Sequence, residues 1–245
     1  DDSGGGGGGG ASRTSTSSED DEEEEADTDE DDEDADDAEE EDNERDQQIE
    51  SILSEADEEN YLSDAEAMAA MVAAVRDALA ESATVQMLIV KVTGGSALQT
   101  DLTDYYSLVN FVTYGTPVTL KLGSGERAGV VNSFKSAFER LPESDEDWAD
   151  VIKIAVGRWP SSTSATSDAA AKTTFTEIYL READMSNPND NAAVTVMAYG
   201  LRPGNRNLTS EATAIGFYID IFGHAPSEAA DWDAVRAIAY SGATR

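Results

Sequence analysis

Four stretches of the chain carry the same order of acidic, apolar and glycine positions. Asp231–Gly242 reads D-W-D-A-V-R-A-I-A-Y-S-G, Asp190–Gly200 reads D-N-A-A-V-T-V-M-A-Y-G, Asp147–Gly157 reads D-W-A-D-V-I-K-I-A-V-G, and Asp104–Gly115 reads D-Y-Y-S-L-V-N-F-V-T-Y-G. Their closing residues, Tyr114, Val156, Tyr199 and Tyr240, recur about every 42 positions, a period that implies one supersecondary unit per copy. Within a copy, Val235, Ile238 and Ala239 stand at i, i+3 and i+4, a narrow apolar stripe. The leading aspartate accepts hydrogen bonds from first-turn N–H groups and complements the helix dipole. A glycine follows the last periodic residue, where helices commonly end in a left-handed residue. Each copy therefore predicts a helix, here named type B.

A second helix, type A, precedes each of the last three. Phe134 and Phe138, Phe175 and Tyr179, and Tyr218 and Phe222 are aromatic pairs at i, i+4, which share one helix face. Pro142, Pro188 and Pro226 follow and stop the helix. The predicted helices are 104–114, 126–140, 147–156, 167–181, 190–199, 210–223 and 231–241. Glu126 and Glu211 open type A helices, and residues 116–125, 159–167 and 201–210 are read as extended connections holding their N-caps. Val85–Val92 fits either a buried helix or a short strand, since periodicity does not separate the two. Ser63-x-x-Glu66 reads as a capping box ahead of an Ala- and Met-rich run, so 63–80 is expected to be a helix that caps or begins the array. The fold class is all-α: about three and a half tandem helical hairpins over residues 61–245. Nothing follows the last type B helix to cap it, so Val235, Ile238, Ala239 and Tyr240 are expected to form an open, associating face.

Composition changes the picture at the amino-terminal end. The formal net charge is −36, but 29 of the 52 acidic residues lie in the first 60 positions, together with only two of the 16 basic ones. Residues 1–60 combine a seven-glycine run, a Ser/Thr-rich stretch and an acidic run over 19–41, a composition that does not bury enough apolar surface to order itself. A disordered tail is expected, acting as a spacer or loosely holding divalent cations. It lacks the spaced ligands and turn glycine of an EF-hand loop. No basic cluster suits a phosphate backbone, which excludes nucleic-acid binding. Cysteine is absent, which removes disulfides, thiolate metal sites and cysteine nucleophiles. No apolar run reaches the roughly 20 residues of a membrane span. The start at Asp1 suggests a processed or excised chain.

Candidate chemistry is sparse. Trp148 and Trp232, with Tyr105 and Asn191 at the matching places, read as packing residues. Trp232→Ala is then expected to cost about 3–5 kcal/mol. The alternative is a carbohydrate-stacking platform. His224 is the single histidine and has no nucleophile or ligand partner in the sequence, so it is assigned to helix-end carbonyls. Three loops are rich in oxygen ligands: Glu143, Asp145, Glu146 and Asp147; Asp184, Asn187, Asn189 and Asp190; Glu228, Asp231 and Asp233. Calcium is a candidate occupant, but helix caps explain these residues more simply. Arg202 and Arg206, with Asn205 and Asn207, form the one polar-basic turn and suit either an acidic loop of a neighbouring unit or an anion. Asn207-Leu208-Thr209 fits an N-glycosylation acceptor.

The segments F-V-T-Y-G-T at 111–116, G-E-R-A-G-V at 125–130, N-P-N-D-N-A-A-V at 187–194 and D-W-D-A-V-R-A-I-A-Y at 231–240 resemble helical repeat segments of secreted or surface-layer-type proteins of small-genome uncultured bacteria. That resemblance implies an extracellular or cell-surface setting and a structural role, and brings no functional residues with it. The resulting expectation is a non-enzymatic surface or assembly module. It has no catalytic, cofactor-binding or metal site, and it works through a protein partner, self-assembly or the cell envelope. The alternative is an intracellular adaptor or chaperone-like protein whose acidic tail captures basic partners.

Overall fold

The computed structural model describes Val72, residues 75–95 and residues 102–245. The expected tail at 1–60 and the capping box at Ser63–Glu66 lie outside the described residues. Among the described residues every regular element is helical, as the periodicity predicts. Helix α1 (Ala78–Thr84) runs through a π-helical stretch (Val85–Ile89) into α2 (Val90–Thr93), which settles the ambiguous 85–92 as helix. Then follow α3 (Leu102–Thr113), α4 (Ser124–Phe138), α5 (Asp145–Ala155), α6 (Ala165–Tyr179), α7 (Pro188–Tyr199), α8 (Leu208–Phe222) and α9 (Ala229–Tyr240).

Two local expectations change. The helix expected over 63–80 does not run through to 80. Asp77 is extended, and its carboxylate accepts from the N–H groups of Leu79 and Ala80, so it caps a new helix. The connection after α3 is not simply extended either. Pro117–Thr119 forms a 3₁₀ turn in which the Thr116 N–H donates to the Thr119 hydroxyl, and the two hydroxyls lie 3.1 Å apart. Proline at the first helical position fixes φ where no N–H is needed.

The helices begin about two residues earlier than the sequence pattern suggests, for one reason. Asp147, Asp190 and Asp231 sit in the third position of α5, α7 and α9 rather than at the cap. Their carboxylates reach backwards. Asp147 accepts from the N–H groups of Glu143 and Ser144, Asp190 from Asp184, and Asp231 from Ser227 and Glu228. The type A helices also end alike, with Glu139, Leu180 and Gly223 in the left-handed region at φ 60°, 57° and 76°. Each next residue then turns toward the aspartate of the following helix. Arg140 forks onto Asp147 and Arg181 onto Asp190, and both guanidiniums lie over the first ring of the aromatic pair behind them, 5.8 Å from Phe134 and 5.1 Å from Phe175. In the last hairpin the place is taken by His224, edge-on to Tyr218, and the Tyr218 hydroxyl donates to Asp231 at 2.6 Å. The three aromatic pairs close at 4.4–4.6 Å between centroids.

The core does not run in single file from hairpin to hairpin. Helix α4 packs not only on α3 and α5 but also on α6, α7 and α9. Its Val130, Val131 and Phe134 are wholly enclosed. The sequence of α4 permits this, because Gly129 and Ser133, four residues apart on one face, are small where the Arg202 guanidinium and the Gly200 backbone approach closely. One consequence corrects the open-face expectation. Helix α9 is packed by α4, α7 and α8, so Val235 is buried and Ile238, Ala239 and Tyr240 are half-buried. The neighbouring α8 is more exposed, with Phe217 56% and Ile219 40% accessible.

Candidate functional site

The most polar part of the interior lies where α4, α8, α9 and the turn at 200–207 meet. Arg202 follows Gly200, whose left-handed backbone (φ 71°) turns the chain out of α7. The Arg202 N–H donates to the carbonyl of Ile154 at 2.9 Å, which ties the turn to the end of α5. The side chain then runs inward and is only 2% exposed. Sequence reasoning assigned Arg202 to a polar turn beside an acidic loop. It lies inside, among residues from three elements.

Three arginines and three carboxylates share this space. Arg206 forks onto Glu211 at 3.0 and 2.5 Å, and Arg236 donates to Asp233 at 2.5 Å. Those two pairs are well made. The remaining guanidinium, Arg202, has Glu126 at 3.4 Å from Nε and Asp233 at 3.6 Å from Nη1. Its Nη1 donates to the carbonyl of Gly200 and to Ser133 Oγ. Nε and Nη2 are buried with no hydrogen-bond partner. Burial, with a repulsive contribution from Arg236, pulls Arg202 down to about 10, so it stays charged at neutral pH. Burial pushes the Asp233 carboxyl up, against the pull of Arg202 and Arg236. Glu126 stands among all three guanidiniums, at 3.1 Å from Arg206 and 3.9 Å from Arg236 as well. A cleft of about 320 Å³ opens over this group, walled also by Leu122, Pro203, Val235 and Trp232.

Trp232 is 39% exposed on that cleft, which corrects its reading as a packing residue. Trp148 does pack, half-buried with its ring 5.5 Å from Phe111. The difference is position: Trp148 faces α3, whereas Trp232 looks onto the turn at 200–207. A smaller cleft of about 180 Å³ holds the corresponding residues one hairpin earlier, with Trp159 where Arg202 stands and Asn191 where Trp232 stands. Of the loop acids expected as candidate calcium ligands, Asp147, Asp184, Asp190, Glu228, Asp231 and Asp233 are caps, turn acceptors or ion-pair partners, and no group of three or more metal-ligating side chains is assembled among the described residues. His224 keeps to the helix end, its Nδ1 3.0 Å from the carbonyl of Ala225.

A second polar device recurs, and sequence reasoning missed it. Tyr114, Tyr199 and Tyr240, each closing a type B helix, latch the starts of α1, α6 and α8. Each hydroxyl accepts from the N-cap N–H, of Asp77 at 2.8 Å, Ser164 at 3.0 Å and Asn207 at 2.9 Å. Each also donates to an acid one turn in: Glu81 at 2.8 Å, Asp168 at 2.8 Å and Glu211 at 2.6 Å. Burial and the facing carboxylate push Tyr199 up to about 12. The pattern was visible as a tyrosine at one helix end and an acid at the other, about 30 residues apart. In the remaining hairpin, α4–α5, Val156 stands in the tyrosine's place. There Arg127 caps other groups, donating through Nε to Val112 at 3.0 Å and through Nη2 to Thr113 at 2.6 Å.

Removing one latch hydroxyl leaves an N–H and a carboxylate short of a partner. Tyr199→Phe is expected to lower stability by about 1 kcal/mol and to speed exchange of the Ser164 amide, as read by urea unfolding and hydrogen exchange. Acid acts on the carboxylates together. The Arg181 guanidinium holds Asp190 below the usual carboxylate range, and Arg206 does the same for Glu211. Asp147 and Asp231 are lowered too, because their hydrogen bonds outweigh the effect of burial. A carboxylate depressed in the folded state stabilises it fully above the unfolded pKa, about 4, and that contribution disappears as pH falls through the folded value. Asp233, raised instead, works in the opposite direction. Asp184, lowered by its hydrogen bonds with Ser186, adds a fifth, and with five groups against one the urea midpoint is expected to hold from about pH 7 to 5 and to drop steadily below about pH 4.

No protein-family model, curated protein or solved structure matches the chain.

Proposed function

We propose that the chain is a non-enzymatic assembly module of the cell surface or extracellular space, built to present a helical face to a second copy of itself. The observation that supports the reading is an apolar cleft of about 340 Å³ at the carboxyl-terminal end, formed by Ile178, Tyr179, Phe217, Ile221, Ile238 and Ala243. Its far side carries Arg245, whose Nε donates to the carbonyl of Ile178 at 2.9 Å. An apolar patch with a basic edge suits an acidic partner with its own apolar residues, and a chain with 52 acidic against 16 basic residues is one. The same charge opposes contact at low ionic strength, so association rises as salt shortens the screening length. Apart from one edge of Arg202 and the Thr113 hydroxyl, the interior polar groups serve as caps, latches and ion pairs, which fits a scaffold. Among the described residues no helix is long and apolar enough to cross a membrane.

The concentration of acid in residues 1–60 favours one competing reading, an intracellular adaptor that captures basic proteins through that segment. Sedimentation velocity separates the two. The module is expected to associate with concentration and salt, and Phe217→Glu to abolish this without unfolding the chain. An adaptor stays monomeric throughout and binds a basic protein such as lysozyme in a salt-sensitive manner.

A further inference from the structure

The cleft over Arg202 carries an inference of its own. Nε and Nη2 are the two parallel donors along one edge of a guanidinium, the edge that grips a carboxylate in a two-pronged bond. In Arg202 both are buried and neither has a hydrogen-bond partner. The other two arginines have carboxylates in hand at 2.5 Å, whereas the acid nearest this edge, Glu126, stops at 3.4 Å from Nε. Glu126 is also the partly exposed member, 29% accessible against 2% for Arg202. Gly129 lies beneath Nη2, and a Cβ there would come within 2.9 Å of that nitrogen. The glycine therefore leaves the guanidinium its position, and Trp232, exposed on the same cleft, offers a flat apolar wall.

We infer that this cleft binds a small carboxylate carrying a compact ring: the carboxylate meets Arg202 from the side of Nε and Nη2, the ring lies against Trp232, and Glu126 is the internal anion it displaces. The cleft volume of about 320 Å³ sits at the small end of ligand sites and suits a single ring. The fork accepts a carboxylate or a phosphate in two parallel bonds, and it is the internal carboxylate Glu126 at this edge and the flat wall of Trp232 that point to a ring-bearing carboxylate. The ring comes from either of two sources, an aromatic acid or an acidic sugar, and both bring the same carboxylate and a flat apolar face.

The test is calorimetric titration of the full chain with benzoate, glucuronate, acetate and inorganic phosphate. One saturable site for benzoate or glucuronate is expected, and whichever binds tighter identifies the source. Acetate and phosphate should bind more weakly. Glu126→Gln removes the internal competitor and should tighten binding roughly tenfold. Trp232→Ala should bring the ring-bearing acids down to acetate. Gly129→Ala should abolish binding while circular dichroism is unchanged. Absence of saturable binding by both the natural chain and Glu126→Gln would overturn the assignment. Phosphate binding more tightly than any carboxylate would overturn it too, as would an unchanged affinity in Glu126→Gln.

Discussion

Replacing Gly200 by alanine is expected to lower the unfolding free energy by roughly 3–5 kcal/mol, the sum of a left-handed backbone penalty and overpacking. Gly200 ends α7 at φ 71°. A Cβ there would fall 2.3 Å from Ser133 Oγ, 2.4 Å from Ser133 Cβ and 2.6 Å from Asp233 Oδ1. Ser133 belongs to α4 and Asp233 to α9, so the added methyl presses three helices apart at once. It also disturbs the Ser133 hydroxyl bond to Asp233 at 3.0 Å, which helps hold a buried carboxylate. Such a carboxylate is costly to leave without partners. Gly204→Ala is the control, because a Cβ at that position meets nothing within 4 Å. Urea midpoints of the two variants should differ widely. Near-equal midpoints would mean that the α4–α7–α9 junction is looser than its distances imply.

Phe134→Ala should cost about as much, roughly 3–5 kcal/mol for an aromatic removed from an enclosed site. Phe134 is fully buried on α4, 4.6 Å from the Phe138 ring and beneath the Arg140 guanidinium. Its loss empties the helix on which several others pack, so that little can collapse into the space. Trp232→Ala removes a larger side chain but one that is 39% exposed, and it should cost less than about 1 kcal/mol, in the range of surface substitutions. Equilibrium unfolding of the two variants ranks the sites. A larger loss for Trp232→Ala would restore it to the core.

The helices were legible in the sequence because their signals are local. Aromatic pairs at i, i+4, a closing glycine and a following proline act within one or two turns, and all seven helices predicted over 104–241 are present. The offset at their starts was also written locally. Ser144-x-x-Asp147 and Glu228-x-x-Asp231 form reciprocal boxes, and Asn187-x-x-Asp190 has the same spacing, although there Asn187 caps Asn189 and Asp190 reaches back to Asp184. The tyrosine latches were half visible, since a hydroxyl at the end of one helix finds its acid only once the hairpin has closed. The interior placement of Arg202 was not visible. Arginine in a Pro- and Gly-containing turn reads as surface, and only the approach of α9 to α4, made possible by the small Gly129 and Ser133, covers it. The same approach buries Val235 and moves the exposed apolar face from α9 to α8.

The proposed assembly requires a face of α8 to meet another copy of the chain, and the most direct measurement places a photo-crosslinking amino acid at Phe217 in the full chain. Irradiation at micromolar concentration and moderate salt, with isotopically light and heavy chains mixed, reports contacts between copies alone. The account predicts a covalent dimer containing light–heavy peptide pairs that join residue 217 to its partner, with a yield rising with salt and falling on dilution. Irradiation that leaves only monomer, at concentrations where the variant remains folded and soluble, would contradict it.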